Sequence, residues 1–126
     1  MRVLLDTVTF VLAVNSPERL SRRARSILEA AGEVRELSSV SVTEIAIKNS
    51  NGKLEFSKVN VSAGVADLEL RYLPFTAEHA LRLFELPMHH RDPFDRQLIA
   101  QAGCEEIPIV TNDRLFGLYR DIEIIW

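Results

Sequence analysis

Five short apolar runs, separated by longer segments of helical periodicity, set what this 126-residue chain can fold into. The runs are Arg2 to Leu5, Val34 to Ser38, Tyr72 to Phe75, Ile107 to Val110 and Ile122 to Ile125. Each has the length of a strand and is too short for a core helix. Between them apolar residues recur every three or four positions, as at Leu20, Ala24, Ile27, Leu28 and Ala31, where Ser21 offers a cap and Gly32 a stop. Strands alternating with helices at this spacing predict a three-layer α/β/α sandwich around a central, mostly parallel sheet. A chain of this length builds one core and not two, so one domain over residues 1–126 is expected.

The helical segments differ in clarity. VTFVLAV, after Asp6, fits either a buried helix or a longer strand. A helix opening at Ser41 places Ile45, with Ala46 or Lys48, on its inner face and stops near Asn51 and Gly52. Val59 to Leu70 is a weaker helix, because Gly64 lowers its propensity and Asn60 reads as a cap. Thr76 caps a helix expected to bury Ala77, Ala80, Leu81 and Phe84 before Pro87. MHHRD reads as a loop, followed by Asp92 as N-cap and Pro93 at N1 of a helix with Phe94, Leu98, Ile99 and Ala102 on its apolar side and Gly103 at its end. Arg114 to Leu118 reads as a helical turn.

Composition excludes several classes. No apolar run approaches the roughly 20 residues that span a bilayer, and the N-terminal stretch is interrupted by Asp6, so it reads as mature structure of a cytoplasmic protein with no membrane partner. The single Cys104 can form no internal disulfide and has no zinc-ligand spacing around it; it reads as a small buried residue. A net charge of −3 argues against a generic nucleic-acid binder. The cluster Arg19, Arg22, Arg23 and Arg25 reads as the solvated face of a helix in preference to a phosphate patch.

Four acids recur at equivalent places: Asp6, Glu44, Asp95 and Asp113 each lie where an apolar run hands over to a helix, or in that helix's first turn. Each admits a local explanation. Glu44 comes after Ser41 with capping-box spacing, Asp95 falls at N3 behind Asp92, Asp6 can cap the segment after the first strand, and Asp113 can cap the helical turn through Phe116. Four caps need not all be carboxylates, however, and Ser21 and Thr76 show that other residues serve here. In a parallel sheet these positions gather on one edge, where crowded carboxylates are held ionised by a hard divalent cation.

The segments LLDT, SVTEIAIKNSNGKLEF, HHRDPFDRQLIAQA and IVTNDRLF, in this order and spacing, resemble the PIN-domain ribonucleases, most closely the VapC-type toxins of toxin–antitoxin pairs. The resemblance runs over nearly the whole chain. It implies an α/β/α sandwich, a site for Mg²⁺ or Mn²⁺, cleavage of RNA phosphodiesters, a homodimer, and a small cognate antitoxin as partner. Carried over by position, it places the family's acidic quartet on Asp6, Glu44, Asp95 and Asp113, with Thr111 as a hydroxyl that orients a carboxylate or a metal-bound water; Asp92 reads as N-cap in preference to a supporting role behind the metal ligands. The chain departs from its relatives at Val8, where a His is common, and at Thr43, where an aromatic often precedes the acid. Those changes bear on substrate contacts and packing beside the site.

The remaining polar residues read as background. His79 is expected on an exposed helix face, and His89 and His90 in a solvated loop, in preference to a contact with RNA. Lys48, Arg96 and Arg114 lie close to the acids, and each can pair with a carboxylate or touch phosphate. Trp126 reads as a core or dimer-interface anchor. Two other classes compete with a nuclease: a phosphoacceptor signalling domain, disfavoured by a single acid after the first strand and no Lys after the last, and a catalytically inactive PIN-like binding module.

Overall fold

The computed structural model describes residues 1–126. One sheet holds β1 (Arg2–Leu5), β2 (Val34–Ser38), β3 (Arg71–Leu73), β4 (Ile109–Val110) and β5 (Ile124–Ile125) in the order β3-β2-β1-β4-β5, every adjacent pair parallel. The helices are α1 (Thr7–Asn15), α2 (Arg22–Glu29), α3 (Ser39–Ser50), α4 (Lys58–Asp67), α5 (Ala77–Arg82) and α6 (Pro93–Glu105), with 3₁₀ turns at Pro17–Arg19, Leu83–Glu85 and Arg114–Leu118.

Pleating sends Val3 and Leu5 to one face of the sheet and Leu4 to the other. On the first face they join Leu37, Val110 and Ile125, covered by Phe10 of α1, Ala24 and Leu28 of α2, Ile45 of α3 and Val61 of α4. On the second, Leu4, Leu73 and Ile109 pack under Leu98, Ile99 and Ala102 of α6, together with Phe116 and Tyr119. Burial on both faces is why the strands read as unbroken apolar runs instead of alternating ones. The three-layer sandwich with a parallel sheet is therefore present.

VTFVLAV is a helix, because Asp6 caps it: its Oδ1 accepts from the Thr9 N–H at 2.8 Å. Helix α4 is capped by Ser57, with Asn60 at N3 completing a capping box instead of serving as the cap. A Cβ at Gly64 would lie 2.6 Å from Val14 Cγ2 and 3.0 Å from Phe10 Cζ, so this glycine lets α4 close onto α1.

Several expectations are corrected. Helix α3 begins at Ser39 with Ser38 as N-cap, which moves Ser41 inside the helix and turns Val40, Ser41, Glu44 and Ile45 inward while Ala46 is exposed. Strand β3 stops at Leu73, since Pro74 has no N–H to donate to the ladder. Helix α6 continues through Gly103 to Glu105 and ends on Glu106 in the left-handed conformation, at φ 55°. The face of α5 is inverted: Ala77 and Leu81 are exposed and Phe84 is 90% exposed, while His79 is buried. His79 Nδ1 accepts the Thr76 N–H at 3.0 Å and its Nε2 pairs with Glu105 at 3.1 Å, and these anchors turn the helix. Cys104 is partly exposed. Arg19, Arg22, Arg23 and Arg25 are solvated, and Trp126 packs against the first core layer. No helix is long and apolar enough to cross a membrane.

Candidate metal centre at the carboxyl edge of the sheet

The strand order reverses between β1 and β4, and an open α/β sheet leaves a crevice at the carboxyl ends of its strands there. Asp6 follows β1 directly and Asp113 lies just beyond β4. One buried hydroxyl joins them: Thr111 Oγ1 donates to Asp6 Oδ2 at 2.6 Å and accepts from the Asp113 N–H at 3.0 Å. Thr9 adds a bond to the Val110 carbonyl at 2.9 Å, fixing α1 against β4. Asp6 is only 3% exposed, and burial pushes its carboxyl above the usual range. The Asp113 charge adds to that rise, and the bonds from Thr111 and Thr9 oppose it.

Glu44 arrives from the second turn of α3, which removes its capping-box explanation. It is 5% exposed. Its Oε2 accepts from Lys48 Nζ at 2.5 Å, one helical turn on, and this contact raises the Lys48 pKa. Its Oε1 is buried with no hydrogen-bond partner. Beneath it, Thr7 Oγ1 donates to Ser41 Oγ at 2.9 Å and ties α3 to α1.

Asp95 sits in the first turn of α6, whose N-cap Asp92 accepts from the N–H groups of Phe94 and Asp95. Its carboxyl is pushed up to about 7, first by burial and then by the charges of Asp92, Glu44 and Asp6, with His90 opposing. Asp95 thus feels the charges of Glu44 and Asp6, and Asp6 that of Asp113. Local capping still accounts for part of Asp6 and of Asp113, whose Oδ1 accepts from the Leu115 N–H at 2.9 Å. It does not account for Asp95. The N–H of Asp92 donates to His90 Nδ1 at 3.2 Å, where a capping box would have it donate to Asp95.

His90 corrects the reading of MHHRD as solvated. It is 7% exposed, and its Nε2 lies 3.0 Å from Asp95 Oδ2 and 2.9 Å from Asp113 Oδ2. The loop is folded inward by Tyr119, whose hydroxyl accepts the His90 N–H at 2.9 Å, while the imidazole meets Phe116 edge-on at 5.5 Å between ring centroids. Arg96 donates to the carbonyls of Pro87 and His90 and so braces this loop instead of pairing with an acid. Arg114 is exposed and His89, also exposed, meets Tyr119 edge-on; Val8 and Thr43 are exposed as well, so those two departures leave the hydrogen bonds that hold the acids untouched. The signal for His90 lay in its place two residues before Asp92 within HRDPFDR; periodicity carried none.

The donor set is mostly carboxylate oxygen, which suits a hard divalent cation such as Mg²⁺ or Mn²⁺. Glu44 Oε1 is a buried acceptor without a donor, a costly state that a bound cation would relieve. The ligand atoms lying within 4.8 Å of one another come from His90, Asp95 and Asp113, a trio that leaves out Asp6 and Glu44.

This fold recurs in solved structures. A chain of the VapBC2 complex from Rickettsia felis, bound to a promoter DNA fragment, matches at a TM-score of 0.72 and 20% identity, covering 99% of this chain and 98% of that one. DNA-bound VapBC from Salmonella typhimurium gives 0.69 and 19%, covering 99% and 97%. VapC20 of Mycobacterium tuberculosis, described as a sarcin-ricin loop cleaving toxin, gives 0.65 and 16%, covering 96% and 98%. No curated protein sequence matches significantly. The PIN domain family matches residues 3–121, a span that takes in every one of the clustered acids, and the chain belongs to that family.

Proposed function

We propose that this protein is a metal-dependent endoribonuclease, acting as the toxin of a toxin–antitoxin pair, with Asp6, Glu44, Asp95 and Asp113 as metal-binding and catalytic residues. The observation that carries the reading is Glu44 Oε1, buried and unpartnered on the helix that follows β2, near enough to Asp95 for its charge to raise that carboxyl. The similar VapBC complexes and VapC20 supply the toxin, antitoxin and RNA-cleaving parts of the proposal. A homodimer, a small antitoxin as partner and a cytoplasmic site of action belong to the same reading.

Mg²⁺ or Mn²⁺ bound there supplies a water nucleophile at neutral pH and positive charge against the scissile phosphate. The protein's own residues perform the rest. Thr111 holds Asp6 and, through the Asp113 N–H, sets the spacing of the two strand ends. Lys48 holds Glu44 by one oxygen and leaves the other free to bind. The N-terminus of α6 presents Asp95 with its backbone fixed by Asp92. Incubation with total cellular RNA and Mg²⁺ or Mn²⁺, alongside Asp95→Ala, tests this. Cleavage that needs the ion and disappears in the variant is expected; equal cleavage in excess chelator would refute the assignment.

A further inference from the structure

We infer that His90 is the positioning residue of the acidic site: its Nε2–H, hydrogen-bonded to Asp113 with Asp95 Oδ2 beside it at 3.0 Å, sets the spacing of those carboxylates for a divalent cation without His90 becoming a ligand. The inference rests on the proposed nuclease site and adds a residue to it. A neutral imidazole has one donor and one acceptor nitrogen. Nδ1 is the acceptor, because the Asp92 N–H donates to it at 3.2 Å. The proton therefore sits on Nε2, the atom 3.0 Å from Asp95 Oδ2 and 2.9 Å from Asp113 Oδ2. A nitrogen carrying that proton has no lone pair for a metal, so closeness among the three side chains does not make His90 a ligand.

The ring is held from several sides. Besides the Asp92 bond, it meets Phe116 edge-on, and the backbone N–H of His90 donates to the Tyr119 hydroxyl, which in turn donates to the Pro87 carbonyl at 3.0 Å. A donor this constrained, bonded to an oxygen of Asp113 after β4 and set against an oxygen of Asp95 on α6, ties those two segments together at the site. Outer donors of this kind orient ligating carboxylates, and losing one costs about 10–100-fold in metal affinity. Ligation by imidazole would instead tilt the site towards Mn²⁺ and other transition metals over Mg²⁺.

The test titrates Mn²⁺ and Mg²⁺ into the full chain by calorimetry, comparing wild type, His90→Ala, His90→Gln and Asp95→Ala. Both affinities of His90→Ala are expected to fall together by about 10–100-fold, with the Mn²⁺/Mg²⁺ ratio unchanged. The amide donor of His90→Gln should restore much of the loss. RNA cleavage by His90→Ala at saturating Mn²⁺ should return to within about 3-fold of wild type, placing the defect in the metal's half-saturation and not in kcat. Imidazole ¹⁵N NMR of the wild type at pH 8 should show the Nε2–H tautomer with and without Mg²⁺, a reading independent of how the variants fold. Wild-type affinity in His90→Ala, or loss of the Nε2 proton on Mg²⁺ binding, would overturn the inference. A wild type that binds neither cation would instead sink the nuclease site itself.

Discussion

At the scale of single residues, Asp95 gives the account its clearest pH dependence. Burial, with the Asp92 charge, pushes its carboxyl up to about 7 in the folded protein, against about 3.9 in an unfolded chain. The folded state thus holds a proton that the unfolded state has released, so stability falls as pH rises through that window and the loss is complete above it. Asp6 is shifted in the same direction by its burial. In chelator, Tm is expected to be lower at pH 8 than at pH 5.5, and Mg²⁺ added at pH 8 should recover it, since the cation binds the ionised form. A chelated protein whose Tm climbs between those pH values would contradict the assigned crowding. Replacing the charge should have the opposite consequences for fold and site: Asp95→Asn should raise the metal-free Tm at pH 8 by a few degrees, roughly 1 kcal/mol, while abolishing stabilisation by Mg²⁺. Differential scanning calorimetry with and without the ion reads both.

At the scale of elements, the contact of α4 with α1 turns on one missing side chain. Gly64→Leu must displace Val14 and Phe10, and the expected cost is about 1–3 kcal/mol, measured by urea unfolding. Helix α5 makes a paired prediction. His79→Ala should destabilise by about 1–3 kcal/mol, because Thr76 and Glu105 lose a buried partner. Phe84→Ser should leave the unfolding midpoint of the isolated chain within about 0.5 kcal/mol, although apolar periodicity alone would have buried it. These elements show what was legible in the chain. The strands were, because burial on both faces leaves continuous apolar runs, and so were the caps at Ser21 and Asp92. The face of α5 was not, because a polar anchor on a distant helix outweighs a few exposed apolar side chains. For the same reason Asp6 and Asp113 could be picked out by their places just after strands, while His90 could not: its bond to Asp113 joins residues 23 apart through a loop with no period.

At the scale of the whole molecule, a net charge of −3 and an acidic crevice set how a polyanion can approach. The clustered carboxylates repel phosphate until a cation offsets them, so RNA binding by the protein should be weak in chelator and strengthen with Mg²⁺. An equilibrium binding titration with the two conditions side by side checks that. Chemistry discriminates more sharply still. A carboxyl near neutrality beside an imidazole could also serve proton transfer for attack by the RNA's own 2′-hydroxyl, a route that needs no ion and leaves a 2′,3′-cyclic phosphate. Water activated at a carboxylate-held cation leaves a 5′-phosphate and a 3′-hydroxyl. The most direct measurement is therefore mass spectrometry of the ends released from a defined single-stranded RNA, with Mn²⁺ and with chelator. The account predicts 5′-phosphate and 3′-hydroxyl ends that appear only with the ion; cyclic phosphate ends, or cleavage undiminished in chelator, would contradict it.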